Sequence, residues 1–260
     1  MHRLRRFSPR RVQQRLRTTL ARVAASAATS PQTPSEASLA WSAGHFYSPI
    51  PSIADIRRRQ DEIFAVPDNI PGVELNTSKQ ITMLSELARF YDMRPWSNAR
   101  QKGLLYWYDN PNFRHGEAIV LFGMMNLFRP RHIIEVGSGY SSCAALDTGE
   151  HFLSGSVEFT FIDPYSDLVE NLIRESGLSL RSKKTIIRSP LQEMQPKTFE
   201  RLQPNDILLI DSTHVLKTGS DVNHILFELL PRVRSDVVVH IHDIYYPFEY
   251  PAQWVYEGRS

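Results

Sequence analysis

The rhythm of apolar and polar positions changes near residue 131. Downstream, short runs rich in β-branched and aromatic residues recur at 132–136, 157–163, 184–188, 206–211 and 236–242. Between them, at 142–152, 166–176, 196–202 and 220–230, apolar residues return at helical spacing. Strands alternating with amphipathic helices predict βαβ units and a mostly parallel, doubly wound α/β sheet. Pro196 near the start of the third helix and Gly177 beyond the end of the second stand where helix termini favour them. Upstream, 45–75 is punctuated by prolines, with one charged helical segment around 55–64. Ile81, Leu84, Leu87, Ala88 and Tyr91 share a face of a helix capped by Thr77 or Ser78. A further helix spans 116–128 and is ended by Pro130. Residues 45–130 are thus expected to form a helical cap on a main domain at 131–260.

Charge divides the chain differently. Residues 1–44 hold eight arginines and one acid, Glu36, whereas the remainder carries 22 basic and 27 acidic residues under an overall charge of +2. Val12, Leu16, Leu20 and Val23 recur at helical spacing among the arginines. This head reads as a basic amphipathic helix, as a mitochondrial transit segment, or as a disordered tail running into the small, polar stretch 26–44. The cytoplasm is the expected location, with the mitochondrion as the alternative for a eukaryotic source. The body carries no pattern for a specific nucleic acid. The most apolar run, 118–128, falls short of the ~18 residues a membrane span requires. A single cysteine, Cys143, excludes an intramolecular disulfide and a cysteine-built zinc cluster.

The chemistry gathers at predicted strand ends. The segment IIEVGSGY places Glu135, Gly137, Ser138, Gly139 and Tyr140 where the first strand turns into its helix. Glycines there let backbone approach a ligand, and the helix start offers free N–H groups. A dinucleotide fingerprint requires a third glycine, but Ser142 holds that position. Glu135 would repel a pyrophosphate and suits a cationic ammonium or sulfonium, both present in S-adenosylmethionine. Such a turn can equally serve only to pack a helix on a sheet. Asp163 at the tip of the second strand favours the ligand reading, because an acid there meets ribose hydroxyls. Aromatics including Trp96, Tyr106, Trp107, Tyr108, Tyr245 and Trp254 either line a pocket or pack the cap.

The stretches GHFYSPIP, DNPNFRHGEAIVL, IIEVGSGYSS, FIDPYSDL, DILLIDSTHVLKTGSDVNHI and VHIHDIYYPFEYPAQWVYEGR, spread over about 45–258, resemble a family of class I S-adenosylmethionine-dependent methyltransferases. The resemblance implies a Rossmann-like fold with Glu135, Gly137 and Gly139 around the methionine end of the cofactor. It also implies Asp163 at the ribose and the turn 189–192, with Leu191, at the adenine. A more distant similarity to catechol-type and macrolide-sugar O-methyltransferases implies a divalent metal held by Asp211, His242 and Asp243. Imidazole at 242, where an oxygen ligand is usual, favours zinc, iron or manganese over magnesium. His214 stands where the catechol-type enzymes place a catalytic lysine, and so is a candidate base beside Asp211, or a hydrogen-bonded structural residue. His240 alternates with His242 and is expected to be structural, and Lys217 a solvated charge.

The expected activity is methylation, of oxygen before nitrogen, of a small-molecule or glycan-like acceptor, by a protein that could form homo-oligomers. Related sequences finish with two more strands, so the sheet is expected to lack its C-terminal pair. A truncated, non-catalytic relative and a nicotinamide-dependent oxidoreductase are the two alternatives.

Overall fold

A strand covered on both faces must be apolar on both. His132–Val136 (β1) meets that condition with one exception, Glu135, and residues 133–136 are all buried. The other strands are β2 (Glu158–Ile162), β3 (Lys184–Ile187), β4 (Ile207–Ile210) and β5 (Val238–Ile241). The computed structural model describes residues 40–259 and orders these strands β3-β2-β1-β4-β5. Every neighbouring pair is parallel, so the sheet expected to be mostly parallel is wholly so among the described residues. Val136 is level with Ile162 on one side and Ile210 on the other, which aligns the carboxyl ends of β1, β2 and β4. The strand order reverses between β1 and β4, where open α/β sheets leave a crevice for ligands.

Alternation along the strands builds two core layers. Ile133, Phe159, Phe161, Ile207 and Leu209 face one layer. Ile134, Val136, Ile162, Leu208 and Ile210 face the other. Each such side chain contributes roughly 1.5–3 kcal/mol through burial. Glu135 shares the face of Ile133, a placement that decides its surroundings below.

The described residues 40–66 and 249–259 form one compact unit, and Pro67–Phe248 another. The first holds α1 (Ile53–Arg58) and α2 (Gln60–Ile63), two short helices interrupted at Arg59 where one was expected. Helix Ala252–Tyr256 belongs to it, with Tyr256 edge-on to Phe64. The second holds α3 (Thr77–Ala88), α4 (His115–Phe128), α5 (Tyr140–Phe152), α6 (Asp167–Ser176), α7 (Lys197–Glu200) and α8 (Asp221–His224) around the sheet.

Helix α3 differs from its expected form in two ways. It begins after Asn76, whose left-handed backbone ends the preceding turn, so neither Thr77 nor Ser78 is the cap. Its apolar residues turned inward are Met83 and Leu87, followed beyond its end by Phe90, while Ile81 and Leu84 are 61% and 64% exposed. The cause lies on α4, where a Cβ at Gly123 would stand 3.1 Å from Leu87, so the glycine lets α3 approach along that side. The single helix expected over 220–230 is also divided. Beyond α8 a wider π segment, Ile225–Leu229, and a 3-10 turn, Leu230–Arg232, complete it. Pro231 lacks an amide donor and its ring opposes the carbonyl four residues back, so a regular helix cannot continue.

No helix among the described residues is long and apolar enough to cross a membrane. The expectations for the arginine-rich head, at residues 3–22, lie outside the described residues.

Candidate functional site

The turn after β1 depends on Gly137. Its φ is +97°, and a Cβ would stand 1.8 Å from the backbone oxygen of Asp211, so only glycine lets the ends of β1 and β4 come this close. The next side chain, Ser138, donates its hydroxyl to Asp163 Oδ2 at 2.6 Å. Asp163 Oδ1 accepts the Tyr165 amide at 2.8 Å, which holds the carboxylate at the tip of β2. A cavity of about 480 Å³ opens over Gly137, Ser138, Asp163, Leu191, Gln192 and Asp211. Leu191 gives it an apolar wall, Gln192 closes one side by donating to the Gly219 carbonyl at 2.8 Å, and Lys217 also lines it.

Three residues read from the same motif do not line that cavity. Glu135 is fully buried beneath the start of α5 and accepts hydrogen bonds from the hydroxyls of Ser141 and Ser142. Burial pushes its pKa up to about 8 against the opposing effect of the two serines, so the carboxyl holds a proton at neutral pH. It braces the turn from within. Gly139 donates its amide to Ser142 Oγ at 3.1 Å, and Tyr140 packs edge-on against Trp107 at 5.3 Å. Trp96, Tyr106 and Tyr108 likewise pack edge-on with one another inside the core.

Asp211, just beyond β4, lines the cavity and also joins a cluster on its other side. Its Oδ1 lies 3.4 Å from His214 Nε2 and 3.3 Å from His242 Nδ1. Asp243 completes the group, 3.5 Å from His242 Nδ1 and 3.7 Å from His214 Nε2, and accepts the Tyr245 hydroxyl at 3.1 Å. His214 and Asp243 have φ values of +60° and +56°. Such left-handed backbone costs on the order of 1–3 kcal/mol, and here it accompanies convergence of the two side chains. Burial resists charge on His242, yet Asp211 and Glu117 outweigh it and raise the pKa to about 10. Burial also resists charge on Asp211, but His214 and His242 hold its carboxyl well below the usual range. His240 stacks 6.3 Å from His242, and burial, helped by that neighbour, lowers its pKa.

Glu117 was not foreseen. From the first turn of α4 its Oε1 lies 3.3 Å from His242 Nε2, while Oε2 accepts the Arg114 amide. An acid at this helix position reads as a cap, and nothing in local spacing announces a partner 125 positions away. Ligand atoms of Asp211, His214 and His242, and of Glu117, His242 and Asp243, form two overlapping groups within 4.8 Å. Mixed imidazole and carboxylate donors suit a first-row divalent cation better than magnesium.

A family model described as a methyltransferase domain matches residues 134–244, from β1 to the cluster. An uncharacterized protein of Archaeoglobus fulgidus is 33% identical over 168 residues, which cover 63% of this chain and 74% of that one. The chain belongs to the class I S-adenosylmethionine-dependent methyltransferase family. The methyltransferase is similar to a solved structure, the S-adenosylhomocysteine-bound methyltransferase PaMTH1 of Podospora anserina, at 15% identity. That match covers 68% of this chain and 74% of the other, with a TM-score of 0.37. As a member of its family the enzyme takes its methyl group from S-adenosylmethionine, which sets aside the nicotinamide-dependent alternative. The cavity fits that cofactor in kind: its volume lies in the range of small-molecule sites, with an apolar wall and an anchored carboxylate.

Proposed function

We propose that this methyltransferase holds S-adenosylmethionine across the ends of β1, β2 and β3 and methylates an oxygen of a small-molecule or glycan-like acceptor at the adjoining cluster. The observation that carries the reading is Asp211, which lines the cavity and also stands within 3.4 Å of two imidazoles. Asp163, already held by Ser138 and the Tyr165 amide, accepts from the ribose hydroxyls. Leu191 and Gln192 flank the adenine, and the Gly137 turn lies beside the methionine portion.

The cofactor supplies a methyl group on a sulfonium, so the protein's tasks are alignment and proton removal. His214, steadied between Asp211 and Asp243, takes the acceptor's proton. A neutral amine already offers a free lone pair and gains less from a base, which favours oxygen. Asp211, His242 and Asp243 would hold a divalent cation, whose charge favours loss of the acceptor proton.

The test is transfer of labelled methyl groups to a panel of catechols, sugars and amines. Hydroxylic acceptors should be turned over, and His214→Ala should lower kcat by about 100-fold or more while S-adenosylmethionine still binds. Turnover of amines alone, or an unchanged rate in His214→Ala, would refute the assignment.

A further inference from the structure

Two nitrogens of one buried ring face two different sets of carboxylates. His242 is 7% exposed, with Nε2 3.3 Å from Glu117 Oε1. Its Nδ1 points the other way, 3.3 Å from Asp211 Oδ1 and 3.5 Å from Asp243 Oδ1, and makes no aligned hydrogen bond with either. Nδ1 therefore stands between two carboxylate oxygens without being committed to either by an aligned hydrogen bond. Glu117 is itself anchored, because its second oxygen accepts the Arg114 amide at the start of α4. Phe113 packs on the ring at 5.5 Å, and His240 stacks on it at 6.3 Å.

We infer that Glu117 is a positioning residue for His242, accepting from Nε2 so that Nδ1 is presented to a divalent transition-metal cation between Asp211 and Asp243. An imidazole that ligates through one nitrogen needs the other held as a donor, and a carboxylate there sets both the tautomer and the ring plane. The same arrangement gives the site a nitrogen ligand, which selects cobalt, zinc or manganese over magnesium. Helix α4 thereby joins the site through one side chain. The inference rests on the cation reading of the cluster, and its test separates the two.

The chelator-stripped full chain is titrated with cobalt(II) and with magnesium, followed by calorimetry and by the visible absorption of bound cobalt. Wild-type protein should bind one cobalt ion and prefer it to magnesium. Glu117→Ala and Glu117→Asp, which withdraw the acceptor from Nε2, should each weaken cobalt binding by about 10–100-fold and alter the band. Glu117→Gln, whose amide oxygen still accepts from Nε2, should restore most of the affinity and the wild-type band. If the wild-type chain binds no cobalt, both the cation reading and this inference fall. If cobalt binds and Asp211→Ala abolishes it, but every Glu117 variant keeps the wild-type affinity and spectrum, only the inference falls. Loss in Glu117→Gln as deep as in Glu117→Asp would mark Glu117 as a direct ligand and also overturn positioning.

Discussion

Alternate residues of a strand face opposite ways, and Glu135 shares its face with Ile133, toward the layer that α5 covers. Reading its charge alone directs the side chain at a cationic ligand, whereas the two-residue period directs it into the protein. Its folded pKa of about 8 exceeds the ordinary value of 4.5, so the folded chain keeps a proton that the unfolded chain has released. The stability from this group is therefore full below about pH 4.5 and declines as pH rises toward 8. Glu135→Gln stays neutral throughout, so its melting temperature should fall less than the wild type's between pH 5 and pH 8. Calorimetry giving parallel curves for the two would disprove the buried, protonated carboxyl. At Gly137 the limit is space. Gly137→Ala puts a methyl group into the Asp211 carbonyl and should cost upwards of about 2 kcal/mol in urea unfolding. A change within experimental error would mean the two strand ends are not apposed.

At the scale of elements, the strands and the helices between them were legible because β-branched runs and helical spacing are local signals. Interruptions and facing directions were less so. Nothing in the stripe Ile81, Leu84, Leu87, Ala88 and Tyr91 reveals that Leu87 alone of these turns inward, since the reason is Gly123 on another helix. Asp147 presents the same difficulty, as an acid within a helix reads as solvated. It is buried on α5 and accepts from Trp96 Nε1, the Leu105 amide and the Tyr106 amide, each at 2.9 Å. Through these bonds α5 ties down the segment leading to α4. Asp147→Ala strands three buried donors at roughly 1–3 kcal/mol each, so a loss of at least about 3 kcal/mol is expected in denaturant unfolding. A loss below about 1 kcal/mol would show that the segment is held by packing alone.

For the molecule as a whole, the half of the site read from the sequence is the half built by one motif and its neighbouring strand. Gly137, Ser138 and Asp163 meet because parallel strands bring their carboxyl ends together, a consequence of topology that the βαβ pattern already contains. Asp211, His214, His242 and Asp243 also came within reach through likeness to enzymes with strand-end ligands. Glu117 did not, because its link to β5 exists only once α4 has packed on the sheet. Calorimetric titration of the wild-type chain and Asp163→Ala with S-adenosylmethionine tests the central claim most directly. The wild type should show one site of micromolar affinity, weakened about 10–100-fold by the substitution, as loss of charged hydrogen bonds to a ligand implies. No binding heat up to millimolar cofactor, or equal affinity in the two proteins, would contradict it.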